Sequence, residues 1–263
     1  MGEWLINLPV VWMAIVIFAG TYLIVALIDW IVMRLAVGER ARAFKALSPG
    51  MLPPLGIIFG LLVGFTAAQV WSDYDRAKVA VANEASALRS VNLLAANLPA
   101  EQQAKLQSLV VKHIENAINQ EWPAMARQQA TLADLPTHLI EALQTTLAFT
   151  PADENQRTAQ HEIITALETA AEARRQRIIL SQSSVGTVKW AGLLLQALLT
   201  LIAIAMVHSD NRLACRIALA LFATGIALSV LLIAAYTRPF TGELIVGPEL
   251  LKLVEATHPA PNQ

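Results

Sequence analysis

The sequence contains a single cysteine, Cys215, set within an apolar run. One cysteine cannot close an internal disulfide or furnish a cysteine-rich zinc site, and in apolar surroundings it packs as a small hydrophobe. Charge is scarce as well. Asp, Glu, Lys and Arg make up 15% of the chain, against about 25% in soluble domains. Nineteen basic residues face twenty acidic ones, so the bulk basicity of a nucleic-acid-binding protein is missing and no nucleic-acid partner is expected. The five histidines, His113, His138, His161, His208 and His258, have no metal-ligand spacing to one another. His161 and Glu162 open like the helix of a zinc protease, but Thr165 stands where the second histidine is required. No phosphate-binding glycine loop and no Gly-x-Ser-x-Gly elbow is present. These absences point away from an enzyme, and no cofactor or metal is expected.

Apolar residues are what the chain has in excess: 56%, above the roughly 45–50% of soluble domains. They concentrate in residues 8–71 and 188–236, on either side of a polar middle. The first apolar stretch, about 10–35, is too long for a signal-peptide core and has no Lys or Arg before it, which predicts a retained membrane helix. Trp12 and Trp30 lie near its ends, where amphipathic rings favour the interface. Asp29 lies close to the end of the same span, about one and a half turns from Arg34. It is either a group on a polar pathway or an interfacial acid that pairs. A connector with Arg40, Arg42 and Lys45 then leads to the Ser48-Pro49-Gly50 turn signal.

The second span, about 53–71, opens with Pro53 and Pro54, which suit a first helical turn. Gly56, Gly60, Gly64 and Ala68 recur every four residues and so share one face. A face without side chains lets another helix approach closely. Packing within the subunit and packing near an oligomer axis both satisfy that pattern. Nothing breaks the helix after Trp71, so it is predicted to continue to about Asn97 with Val81, Leu88, Val91, Ala95 and Leu98 on its buried stripe. Further helices are expected over about 100–121, interrupted at Trp122-Pro123, and over about 136–147. Another starts at Thr150-Pro151-Ala152-Asp153, with Thr150 as its cap. The small residues from Ser181 to Gly186 form a weak joint. The third and fourth spans, about 188–207 and 213–236, flank a tight turn at His208–Arg212. Gln69, Asp73 and Gln196 are polar groups in or beside the spans, suited either to a water-filled pathway or to bonding between helices.

The expected fold is therefore all-α. A polytopic membrane protein with four transmembrane helices, in two hairpins, brackets a helical-bundle extramembrane domain. The divisions are 1–71, 72–187, 188–238 and a polar tail over 239–263. Its first partner is the lipid bilayer. The rule that Lys and Arg stay inside gives opposing readings of orientation. The first connector places the middle domain outside, while Arg76, Lys78, Arg174, Arg175, Arg177 and Lys189 crowd that domain's membrane roots.

Two stretches resemble a known family. Pro54-Leu55-Gly56-Ile57-Ile58-Phe59-Gly60-Leu61-Leu62-Val63-Gly64-Phe65, followed by Val70-Trp71-Ser72-Asp73-Tyr74, resembles the second transmembrane helix of the bestrophin channels. Taken without gaps, Pro54, Gly60, Trp71 and Tyr74 match that family's proline, glycine, second tryptophan and tyrosine. Pro239-Phe240-Thr241-Gly242-Glu243 is similar to its Pro-Phe-Gly-Glu element with one extra residue. The Ser48–Pro54 start and the Arg238–Gly242 end extend the likeness, over nearly the full length, to the bacterial bestrophin-like membrane proteins. The resemblance implies a multi-pass protein of the bacterial inner membrane, a homo-oligomer (pentameric in bestrophins), that conducts inorganic ions, anions in particular. The second helix would line the pore, with a hydrophobic neck at Ile57 and Leu61, and the middle domain would be cytoplasmic. Gln69 stands where the family has arginine, which weakens the carry-over of anion preference. Leu244-Ile245-Val246 replaces the acidic run of calcium-gated members, so calcium gating is not implied. A sensory or scaffold membrane protein, whose helical domain binds a ligand or partner, is the alternative.

Overall fold

The computed structural model describes residues 8–39, 43–44 and 49–257. Arg40, Arg42, Lys45, Ser48 and His258, named above, lie outside the described residues. The described chain forms helices and no strand. In order they are α1 (Val10–Leu35), α2 (Leu52–Ala95), α3 (Ala100–Asn116), a wider helical turn over Ala117–Glu121, α4 (Trp122–Ala126), α5 (Thr137–Ala148), α6 (Glu154–Ser181), α7 (Thr187–Val207), α8 (Arg212–Tyr236) and α9 (Glu249–Thr257). Four of them, α1, α2, α7 and α8, are long and apolar enough to cross a membrane. At 1.5 Å per residue, α2 measures about 66 Å, roughly twice the hydrocarbon thickness, so only part of it can lie in lipid. The chain divides into two compact units: residues 1–72 with 184–237, and residues 73–183 with 238–263.

In the membrane unit, α8 packs along α1 and against α7. Met13, Ile17, Val25, Ile28 and Val32 form the buried stripe of α1. From α8 come Cys215, Leu219, Ala223, Ile226 and Ala227. The alanines let the backbones approach, which is how helices gain dispersion where water supplies no hydrophobic drive. Thr66 donates to the Leu62 carbonyl at 2.7 Å and Thr200 to the Gln196 carbonyl at 2.8 Å, each within its own helix, while the Tyr22 and Thr224 hydroxyls pair at 2.8 Å between α1 and α8. The tight turn before α8 ends in a side-chain cap, with Asn211 Oδ1 accepting from the Leu213 and Ala214 amides at 3.1 Å each.

The helical unit is built on the outer part of α2, α3, α5 and α6. Leu88, Val91, Leu106, Ile114, Ile163 and Leu167 are among its buried residues. Its details depart from the sequence expectations in three places. The cap of α6 is Asp153, not Thr150: Asp153 Oδ1 accepts from the Gln156 amide at 2.8 Å, and Gln156 Oε1 accepts from the Ala152 amide at 2.9 Å. An Asp one residue before the helix reaches that amide directly, which Thr150 cannot. Trp122-Pro123 does not break the chain's helical course. The turn over Ala117–Glu121 widens, the Trp122 amide donates to the Ala117 carbonyl five residues back, and Pro123 then sits in the first turn of α4. There its missing N–H costs nothing.

Residues after 238, read above as a polar tail, carry buried Phe240, Val246, Leu251 and Val254 and group with the helical unit. Trp122 Nε1 donates to the Val246 carbonyl at 3.1 Å and Thr241 Oγ1 to the Ala126 carbonyl at 2.7 Å. The Phe240 ring meets Trp122 edge-on at 5.9 Å. Gly242 has φ of 100°, a conformation that a side chain would strain, so glycine is required at that bend.

Candidate functional site

The membrane part of α2 has two faces of different fate. Phe59, Thr66 and Val70 are buried, and the Phe59 ring lies 5.6 Å from that of Phe222 on α8. The opposite face is bare. Ile57 is 62% exposed, Leu61 53% and Phe65 73%. Pro54, Gly60, Gly64, Ala68 and Trp71 are exposed as well. A side chain grown from Gly56, Gly60 or Gly64 would meet no atom within 4 Å. Among the described residues, the glycine stripe is therefore not used for packing against another helix. Ile57 and Leu61, one turn apart, point their apolar side chains off the same bare surface. Apolar exposure of this kind is satisfied by lipid or by a second protein surface.

The polar candidates do not converge. Asp29 Oδ2 accepts from Arg216 Nε at 3.1 Å, which ties α1 to α8. Gln196 Nε2 donates to the Leu55 carbonyl at 3.1 Å, which ties α7 to α2. Lys189 Nζ donates to Gln69 Oε1 at the far end of the same pair of helices. At 1.5 Å per residue, Gln69 lies about 26 Å along α2 from Leu52. Asp73 is half-buried and opens the helical unit. Tyr74, also half-buried, packs against that unit's core. Of the tail residues, Pro239 and Phe240 are buried, Gly242 makes the bend and Glu243 is exposed.

A second constellation lies inside the helical unit, and sequence reasoning missed it. Glu84, His113, Glu121, Arg174 and Arg177 are all buried. Arg177 donates from Nε to Glu84 Oε2 at 2.7 Å, and from Nη2 to Glu84 Oε1 at 3.0 Å and Glu121 Oε2 at 2.8 Å. Arg174 Nε donates to Glu121 Oε1 at 2.7 Å, and its Nη2 to the Asp134 carbonyl at 2.8 Å. His113 Nε2 stands 3.0 Å from Glu84 Oε1. The Arg177 guanidinium also lies 4.5 Å from the Trp122 ring centre. Burial by itself would push the Glu84 carboxyl up. The Arg177 charge and the hydrogen bonds of His113 and Arg177 outweigh burial and hold it at about 2. For Arg177, burial opposes the charged form, and Glu84 and Glu121 raise its pKa above the usual value.

The signal for this network was present. Ala77, Val81, Glu84, Leu88 and Val91 step by four and three along α2, so Glu84 occupies a core position of the stripe. Arg174 and Arg177, read from the sequence at the membrane roots, are buried with it. His113 is buried as well. Among the described residues no group of His, Cys, Asp and Glu is arranged to hold a metal ion.

The bestrophin-like domain matches residues 19–251. Solved structures of two variants of a bacterial bestrophin homologue from Klebsiella pneumoniae share the fold. One has a TM-score of 0.67 at 12% identity, covering 91% of this chain and 96% of that one. The other has a TM-score of 0.68 at 14% identity, covering 94% and 98%. A further crystal structure, described as that of a membrane protein variant, has a TM-score of 0.69 at 14% identity over 91% and 96%. No curated protein matches the chain.

Proposed function

The chain belongs to the bestrophin-like family, and from that premise we propose that it assembles into a homo-oligomeric membrane ion channel that passes anions, with α2 of each subunit lining a central pore. One observation carries this reading: the bare face of α2, where a side chain grown from the glycine stripe would meet no described residue and Ile57 and Leu61 leave more than half of their surface uncovered. Copies of α2 gathered about an axis would cover the glycines by close approach. Ile57 and Leu61, repeated around that axis, would form a ring of apolar side chains that controls passage by dewetting. The polar candidates fit supporting parts in this scheme. Asp29 and Gln196 hold the spans together, and Lys189, bonded to Gln69, supplies a positive charge near the far end of the pore-lining segment.

The test is single-channel recording of the purified protein in a planar bilayer under a chloride gradient. Unitary currents that reverse near the chloride potential, and whose conductance changes in Leu61→Ala, support the reading. Currents unaltered across Ile57→Ala and Leu61→Ala remove those residues from the pore. Silence from a folded oligomer over voltage and pH favours the second reading, a sensory or scaffold protein. The observation on its side is that α2 is one helix with residues in both units, so a ligand on the helical unit binds beside a helix that continues into the membrane unit.

A further inference from the structure

A cavity of about 670 Å³ lies within the membrane unit, between α1 and α8. Its walls are graded. Val25 and Ala26 of α1, with Leu219 and Ala220 of α8, form the end that lies deeper along both helices. Arg34, Arg212 and Arg216 line the other end. Arg34 is in the last turn of α1 and Arg212 is the first residue of α8, so these cations sit at the adjoining ends of the two spans.

Three guanidiniums face one carboxylate, Asp29. Asp29 Oδ2 accepts from a single Arg216 donor, Nε at 3.1 Å. The Arg34 guanidinium lies 5.1 Å from the Trp30 ring centre, a contact that leaves the N–H edge of its plane available. Arg212 makes no ion pair with any described residue. All three side chains are exposed. The cavity wall therefore carries an excess of two positive charges beside apolar surface. A small inorganic anion would answer the charge and leave the apolar wall bare. A phosphate ester attached to acyl chains answers both, because guanidinium matches phosphate in a bidentate fork. Asp29 Oδ1 is buried without a hydrogen-bond partner, so it can accept from a headgroup hydroxyl.

We propose that this cavity is a binding site for an anionic phospholipid, with its phosphate held by Arg34, Arg212 and Arg216 and its first acyl carbons along Val25 and Leu219. The site is independent of conduction, so a silent bilayer does not affect it. The test uses the full-length protein in detergent, titrated with phosphatidylglycerol or phosphatidylcholine and followed by native mass spectrometry and thermal unfolding. Phosphatidylglycerol is expected to bind roughly tenfold or more tighter than phosphatidylcholine, and Arg212→Gln to weaken it about fivefold. Arg212 is exposed and unpaired, so that variant keeps the fold; Arg34→Gln is the second variant. Equal affinity for the two lipids, or unchanged phosphatidylglycerol binding in both variants, overturns the proposal. Displacement of phosphatidylglycerol by an equal concentration of inorganic phosphate would assign the cavity to a free anion and overturn it too.

Discussion

The two units treat polar groups in opposite ways. The membrane unit disperses them. Thr21, Thr66, Thr200, Thr224 and Ser229 turn their hydroxyls back onto their own helices, and its one described ion pair, Asp29 with Arg216, stands at the edge of the spans with the arginine exposed. The helical unit concentrates them, burying two arginines, two glutamates and a histidine in one network among apolar residues. Lipid offers no water to share, so polar groups inside it must be satisfied locally or kept few. In an aqueous domain a buried cluster is tolerable when every charge has partners, and each partner then becomes indispensable.

That contrast can be broken by substitution. Arg177→Met leaves Glu84 with His113 alone and Glu121 with Arg174 alone, and the expected loss is about 3–5 kcal/mol of stability in the helical unit. Denaturant unfolding followed by circular dichroism measures it, and a loss below about 1 kcal/mol would mean that the network is dispensable. Leu88→Ala in the core of the same unit is expected to cost about 2–5 kcal/mol, whereas Leu221→Ala, on the exposed surface of α8, stays within about 0.5 kcal/mol. Equal effects at the two leucines would erase the distinction between the units.

Acid gives a graded version of the first test. Glu84 has its pKa lowered in the folded chain, so its stabilisation is present above the ordinary carboxylate range and is lost as pH falls toward about 2. The expected size is on the order of a few kcal/mol. Unfolding midpoints measured from pH 6 down to pH 2 should fall steeply in the wild type and less in Glu84→Gln. Parallel slopes for the two proteins would remove Glu84 as the source. The smallest effect is at the Asp153 cap, where Asp153→Ala should cost about 1 kcal/mol, and Asp153→Asn should restore most of it.

The spans were legible in the sequence. α1 begins and ends where its apolar run does, and α7 and α8 each begin one residue before the expected start. The unbroken course of α2 followed from the want of any breaker after Trp71. These features depend on length and composition, which a single chain displays openly. What was hidden depends on tertiary company. A glutamate on a stripe reads as a solvated residue until one arginine from another helix, 93 positions away, is seen to meet it. Leu244-Ile245-Val246 and Leu250-Leu251 read as a short tail until Trp122 is found bonded to Val246. Pro123 reads as a break because the widening of the preceding turn leaves no mark in composition. For the candidate site, Ile57 and Leu61 came from family resemblance, and their bare setting is a fact of the fold that periodicity alone could not distinguish from a packed face.

The widened turn at Ala117–Glu121 makes the spacing along this stretch a setting with very little play. A helix that gains one residue without unwinding accommodates it as such a turn. Removing one residue there would let the backbone close into regular α-helix. It would also swing everything downstream by about 100°. Glu121 would rotate off both arginines, and Trp122 would leave the Val246 carbonyl. A deletion that improves the helix would thereby disassemble what the helix holds, and the irregular turn is the cost of keeping two distant sequence segments in phase.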